Sequence, residues 1–329
     1  MEFFKNPKIN FVGAMKVAFT ISAILVVVSA ATMLIHKGPR LSIDFTGGSV
    51  LQVKMEPVPT VGEIRSALEG QGYEGVQVTE FGSVDEFLIT FPTPEEVMEM
   101  AAAGDEKASN TGVSTVSGEK TLDAAQILLA DLRAGLSGTE IELRREESVG
   151  PKIGGELRTA AVNSVVAALA LIVLYITVRF VFRYGIAAIM ALVHDVTLTL
   201  GIFSLLNFEI SLQIIAAFLT IIGYSLNDTI VVFDRIRENM KLRRKESYRE
   251  VINRSINECL SRTMLTSLTT FFVAVTLYFL GGPVIHDFAF ALCFGVIVGT
   301  YSSMFIASPI LVWWHERRIR DKKRMALDM

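Results

Sequence analysis

The sequence predicts a polytopic α-helical membrane protein with six transmembrane helices and one α+β external domain. Three observations carry this. The 329 residues are 51% hydrophobic yet 20% charged, with a mean hydropathy of +0.46, which is too apolar for a soluble protein and too charged for membrane spans alone. Six windows, 16–35, 159–178, 184–206, 210–232, 263–281 and 288–312, are long and apolar enough to cross a bilayer. More than a hundred residues without such a window separate the first from the second, a length that requires a water-exposed domain.

Span 1 has the basic start and apolar core of a secretion signal, but its length and the absence of a small-residue cleavage site before His36 read as a retained span. The preceding Phe3 to Phe11 stretch is predicted to lie in the membrane interface. Arg40 to Lys54 then reads as a strand around a Thr46-Gly47-Gly48 turn or bulge. Thr60 to Leu68 reads as a helix behind a threonine cap, with Val61, Ile64, Ala67 and Leu68 on one face. Val76 to Phe81 and Phe87 to Phe91 are short strands, Leu122 to Leu132 a second helix, and Thr139 to Ser148 a final strand. The order β-α-β-β-α-β predicts a two-layer, ferredoxin-like α+β arrangement. Gly104 to Thr121 lacks an apolar period and reads as a mobile surface insertion, more simply a tolerated one than a client-binding one. Cys259 and Cys293 both fall outside this domain, so no disulfide within it supports its fold.

Spans 2 to 6 follow closely. Lys5, Lys8 and Lys16, then Arg179 and Arg183, Arg235 to Arg254, and Arg317 to Arg324 mark one side, while the short loops Asn207 to Glu209 and Gly282 to Asp287 carry no Lys or Arg. The basic side is predicted to be cytoplasmic, which places both termini inside and the large loop outside. Between His36 and Arg158 the net charge is −10, against +7 for the remainder and −3 overall. The divisions are 1–36 for the N-terminus and span 1, 37–157 for the external domain, 158–312 for spans 2 to 6, and 313–329 for a basic tail. Tyr248 to Leu260 shows an apolar face with basic residues between, as an interfacial helix leading into span 5 would.

Asp228 lies inside the apolar run Ile210 to Phe233. A carboxylate near the bilayer centre costs about 2.5–3.5 kcal/mol on insertion scales, so it points first to ion or proton movement. Ser225, Asn227 and Thr229 surround it in sequence, giving more hydrogen-bonding capacity than helix packing needs. Arg262, in the hydroxyl-rich start of span 5, either reaches Asp228 or snorkels to the surface. Asp195 in span 3 is a second intramembrane carboxylate, for a polar pathway or for helix packing. His194 beside it points about 100° away around a helix and is not expected to pair with it. Asp234, Arg235, Arg237 and Glu238 read as a solvated face, and Gly295 and Gly299 as a close-packing pair. No Walker loop, zinc-ligand spacing or nucleophile-base motif accompanies these residues, so no enzyme activity, cofactor or nucleic-acid partner is expected.

Ile221-Ile-Gly-Tyr-Ser-Leu-Asn-Asp-Thr-Ile-Val-Val-Phe-Asp-Arg-Ile-Arg-Glu-Asn239, together with Asp44-Phe-Thr-Gly-Gly48, Ser148-Val-Gly-Pro151, His194-Asp-Val196 and Leu260-Ser-Arg-Thr263, resembles the SecD/SecF family of protein-export membrane proteins, within the resistance-nodulation-division superfamily. The resemblance runs nearly the whole length. It implies half of a twelve-span bundle with pseudo-twofold repeats. Its implied partners are SecD and the SecYEG channel in the bacterial inner membrane, with YajC and SecA-delivered preprotein as further candidates. The implied work is promotion of protein translocation by the proton or sodium motive force. Carried over by motif, Asp228 and Arg262 are the ion-conducting residues, and a further carboxylate belongs to the SecD half. Two other readings stand beside it: a stand-alone exporter of lipid or drug, and a structural assembly factor whose polar groups only hold helices together.

Overall fold

The computed structural model describes residues 7–71, 73, 76–91 and 119–327. The chain forms two compact units, residues 1–40 with 163–329, and residues 41–162.

In the smaller unit, Ser42 caps a one-turn helix α2 (Ile43–Thr46), where the sequence suggested strand leading into a Thr46-Gly47-Gly48 turn or bulge. Gly47 and Gly48 follow at φ +76° and +130°, a left-handed backbone that side-chain-bearing residues rarely adopt. They are also tightly approached: a Cβ on Gly48 would lie 2.8 Å from the Phe91 carbonyl oxygen, and one on Gly47 would lie 2.9 Å from Pro151 Cα. The chain then runs β1 (Gly48–Glu56), α3 (Val61–Gly70), β2 (Gln77–Phe81), β3 (Ser83–Phe91), α4 (Glu119–Gly135) and β4 (Glu140–Val149). The sheet is antiparallel in the order β2-β3-β1-β4, with Leu51 opposite Ile89 and Val53 opposite Phe87. This is the ferredoxin-like βαββαβ order that the apolar periods predicted.

Alternation along β1 sends Leu51, Val53 and Met55 to one face, where Phe87, Ile89 and Phe91 of β3 join them. Ile64 and Leu68 of α3 and Leu128 and Leu132 of α4 close that face, and all are almost fully buried. Thr60 and Glu63 form a reciprocal capping box at the start of α3, satisfying two backbone donors that the helix cannot pair internally. Those bonds hold the Glu63 carboxyl below the usual glutamate range. The Gly104 to Thr121 stretch lies, as far as residue 118, outside the described residues.

Among the described residues, six helices are long and apolar enough to cross a membrane. They are α1 (Phe11–Ile35), α5 (Pro151–Arg179), α6 (Phe182–Leu205), α7 (Leu212–Leu242), α8 (Tyr248–Leu280) and a composite of α9 (Pro283–Ser302), a π turn (Ser303–Ala307) and α10 (Ser308–Leu327). They carry spans 1 to 6 in that order. Several outrun the apolar windows because the helices continue through polar sequence. Span 4 ends in charged residues that pair locally: Arg235 with Glu238 at 2.7 Å, Arg237 with Asp234 at 3.6 Å.

Two expectations fail at this end of the bundle. Tyr248 to Leu260 is no separate interfacial helix; it is the first part of α8, and Ile252, Ile256 and Leu260 are buried against the bundle core. Phe11 likewise sits in that core at 2% exposure rather than in an interface. The reason is a polar clamp. Asn253 and Asn257 of α8 both donate to the Ile9 carbonyl, at 3.0 and 2.8 Å, and Asn257 accepts from the Ile9 N–H at 2.9 Å. Pinning the chain at Ile9 directs Phe11 inward. Residues 1–6 lie outside the described set.

Candidate functional site

The polar groups of spans 3 to 6 meet because small residues let the helices close. On α9, Gly295 faces Ile221 of α7 so tightly that a Cβ would come within 2.5 Å of its Cδ1, and one on Gly299 would lie 3.1 Å from Ser225 Cβ. The Gly-x-x-x-Gly spacing thus seats span 6 on the turn of span 4 that precedes Asp228.

Asp228 is 5% exposed. Thr263 of α8 donates to its Oδ1 at 2.7 Å, and Ser303 of the π turn donates to its Oδ2 at 2.8 Å. Asp195 of α6 is fully buried. Its Oδ2 accepts from Ser225 of α7 at 2.6 Å and from Ser302 of α9 at 2.7 Å. Four hydroxyls on three helices therefore converge on two carboxylates, joining spans 3 to 6 in one network. A carboxylate is an acceptor only when ionised and gains a donor when protonated. Either change in proton count must reorganise these bonds.

His194 is 8% exposed, with Nδ1 2.9 Å from Asp195 Oδ1. The expectation that these neighbours would not pair is thus wrong. Successive Cβ atoms do diverge around the helix, but the imidazole is long enough to fold back beside its neighbour's carboxyl. Its Nε2 is buried with no partner among the described residues. The Tyr301 ring lies 6.2 Å away, and Tyr301 Oη donates to the Ala18 carbonyl of span 1 at 3.0 Å.

The remaining candidates separate. Thr229 is buried at 1% exposure. Asn227 is exposed on the outer face of α7. Arg262 is exposed too, because the inward face of α8 is taken by Leu260, Thr263 and Ser267. It forms no ion pair within 4 Å among the described residues, though its charge acts on Asp228 through space. The pairing of Asp228 is with Thr263, one residue on.

Sequence reasoning passed over Ser302 and Ser303. Their signal is a Ser-Ser step six residues before Ser308-Pro309 in an otherwise apolar span. Pro309 has no N–H to give the carbonyl four residues back, so α-helical bonding fails there. The chain widens into the π turn, and the Ser308 hydroxyl donates to the Ser303 carbonyl at 3.0 Å. Such turns recur at functional positions.

Known proteins share this architecture. Residues 131–317 match the family model described as Protein export membrane protein SecD/SecF, C-terminal, and residues 32–57, which include Gly47 and Gly48, match the SecD/SecF GG motif. The chain is 44% identical over 317 residues to Protein translocase subunit SecF of Desulfurispirillum indicum, covering 94% of this chain and 93% of that one. It is 40% identical to Protein translocase subunit SecDF of Thermus thermophilus, covering 95% of this chain but 39% of that longer protein. Among solved structures, a crystal structure of SecDF, a translocon-associated membrane protein from Thermus thermophilus, superimposes with a TM-score of 0.78 at 40% identity, over 94% of this chain and 39% of that one. SecDF in a super-membrane-facing form gives 0.66 at 38% identity, over 98% and 41%.

Proposed function

The chain belongs to the SecD/SecF family of protein-export membrane proteins and is a SecF-like subunit of the protein translocase; from that premise we propose that it couples ion movement at Asp228 to protein export. The reading rests on one observation above all. Asp228 is a carboxylate buried within a membrane-spanning helix, held by two hydroxyls and by no ion pair among the described residues. A permanently ionised group with so little compensation is expensive, whereas a group that gains and loses a proton or a sodium ion uses both states. Protein interiors seldom retain such a site for packing alone.

Asp195 joins the pathway through Ser225 and Ser302, and the outward Arg262 and Asn227 face a second chain. That chain is SecD, the other half of a twelve-span bundle and the source of the further carboxylate. The fusion of the two halves in the longer SecDF relatives supports this pairing. SecYEG is the channel served, with YajC and SecA-delivered preprotein as associated partners. The setting is the bacterial inner membrane, with both termini cytoplasmic and the βαββαβ domain external. One elementary charge crossing 100 mV releases about 2.3 kcal/mol, so a few ions suffice to bias a domain equilibrium of several kcal/mol. The role is transport rather than catalysis.

Asp228→Asn in a complex reconstituted with SecD and SecYEG should remove ion-gradient stimulation of export while SecD still co-purifies. Undiminished stimulation would refute the coupling role. Loss of SecD from the purified complex would instead favour a structural assembly factor. A stand-alone exporter is disfavoured by the near-complete coverage of SecF relatives.

A further inference from the structure

Ser302 and Ser303 are neighbours in sequence yet serve different carboxylates, Asp195 and Asp228. Each hydroxyl also has a second acceptor on its own helix: the Thr300 carbonyl lies 3.0 Å from Ser303 Oγ, and the Gly299 carbonyl 3.2 Å from Ser302 Oγ. Serines in helices have this local back-bond available. The hydroxyl hydrogen can therefore turn from carboxylate to carbonyl by a rotation about one side-chain bond.

The carboxylate decides which way it points. An ionised carboxylate accepts a charge-assisted bond roughly twice as strong as a neutral one. A protonated carboxyl carries its own O–H, and Ser303 Oγ is placed to accept it only when its hydrogen has moved to Thr300. Protonation thus replaces a strong tie between spans 4 and 6 with a weaker one of reversed direction.

This exchange occurs where the span is least regular. Ser303 opens the π turn, and its carbonyl accepts the Ser308 hydroxyl, one residue before the proline that interrupts α-helical bonding. We propose that Ser302 and Ser303 are positioning residues that latch the π turn to spans 3 and 4 while Asp228 is ionised, and that protonation of Asp228 turns the Ser303 hydroxyl to Thr300 and loosens the turn. The titratable groups bearing on this latch are Asp195 and His194 from span 3 and Cys259 and Arg262 from span 5. Span 6 contributes the hydroxyls of Thr300, Ser302 and Ser303.

The proposal rests on Asp228 changing its proton count in function, and the test separates the two ideas. Hydrogen exchange of the backbone amides in 303–312 is followed by mass spectrometry in the complex with SecD, normalised for the intrinsic exchange rate. In the wild type, exchange should rise by about tenfold as pH falls through the midpoint of export activity, the change expected for losing one charge-assisted bond. Ser302→Ala with Ser303→Ala should exchange at the fast rate at every pH, Ser303→Thr should restore the wild-type profile, and Asp228→Asn should be fast throughout. Ser303→Ala alone, which keeps Ser302, serves if the double variant does not assemble with SecD. Protection that is independent of pH in the wild type, or a wild-type profile in the alanine variants, overturns the latch. Ion-stimulated export by Asp228→Asn would overturn the coupling role instead, whatever the exchange data show.

Discussion

The two units of this chain differ in what they bury beside their apolar cores. In the βαββαβ domain the enclosed cluster, from Leu51 to Ile141, is apolar but for the Tyr73 hydroxyl, which donates to Asp131 at 2.5 Å, and Ser49 is the other buried side chain with a polar group among the described residues. The bundle encloses Asp195, Asp228, His194, Asn239 and a series of serines and threonines, while Val27, Val178, Leu174 and Phe279 stand exposed. Water explains the first arrangement, since burying apolar surface drives folding there. In a bilayer the outward apolar groups already have an apolar environment, so the inward face is free to carry polar chemistry. The two units thus differ in the polar groups they enclose, few in one and many in the other.

The sharpest way to break that contrast is a pair of crossed substitutions. Phe87→Ala removes a ring at 1% exposure between β1 and the helices, and should destabilise the domain by about 3–5 kcal/mol in denaturant unfolding. Ion-stimulated export should fall only in proportion to folded protein. If Asp228→Asn unfolded the bundle to a similar extent, the division would not hold.

Next in size are changes to the helix contacts that assemble the network. Gly295→Ala forces Ile221 aside and should cost about 1–3 kcal/mol, read as a lower thermal midpoint of the complex in detergent. Asp195→Leu would leave the Ser225 and Ser302 hydroxyls without their carboxylate acceptor. Ser302 can turn to Gly299, but Ser225 and the buried His194 Nδ1 both lose their partner, so the expected loss is about 1–3 kcal/mol for each of these two groups.

The smallest effect belongs to the domain surface. Thr60→Ala removes the α3 cap and should cost about 1 kcal/mol. The Glu63 half of the same box has a lowered folded-state pKa. Its contribution is present above the usual glutamate range and fades as pH falls through that lowered value. An unfolding series in mildly acidic buffer should therefore show a pH slope that Thr60→Ala flattens.

Most of the architecture was legible because two periods and one length specify it. Alternating Leu51, Val53 and Met55, helical Ile64 and Leu68, and six long apolar runs each have a single economical solution. Helix ends were less legible: hydropathy reports the hydrocarbon thickness, whereas α7 persists into polar sequence through local ion pairs such as Arg235 with Glu238 at 2.7 Å, and α8 begins in it behind a Ser247–Glu250 capping box. Asp228 and Asp195 announced themselves by their cost in an apolar setting. Their partners did not, since a serine or threonine in a membrane helix usually satisfies itself on its own backbone, as Thr269 and Thr276 do here. Which hydroxyls leave that default depends on helix rotation, and rotation is also what turns Arg262 outward while Thr263 points in.

A π turn takes one more residue per hydrogen-bonded ring than an α turn, so the stretch Ser303–Ala307 amounts to a single-residue insertion that span 6 has absorbed while α10 keeps its place. Removing one residue between 304 and 307 would still leave Pro309 without an N–H for the carbonyl four residues back, so the deletion would not restore a regular helix. The extra residue and the proline act as one unit: the turn takes up the break that Pro309 makes, and α10 continues beyond it.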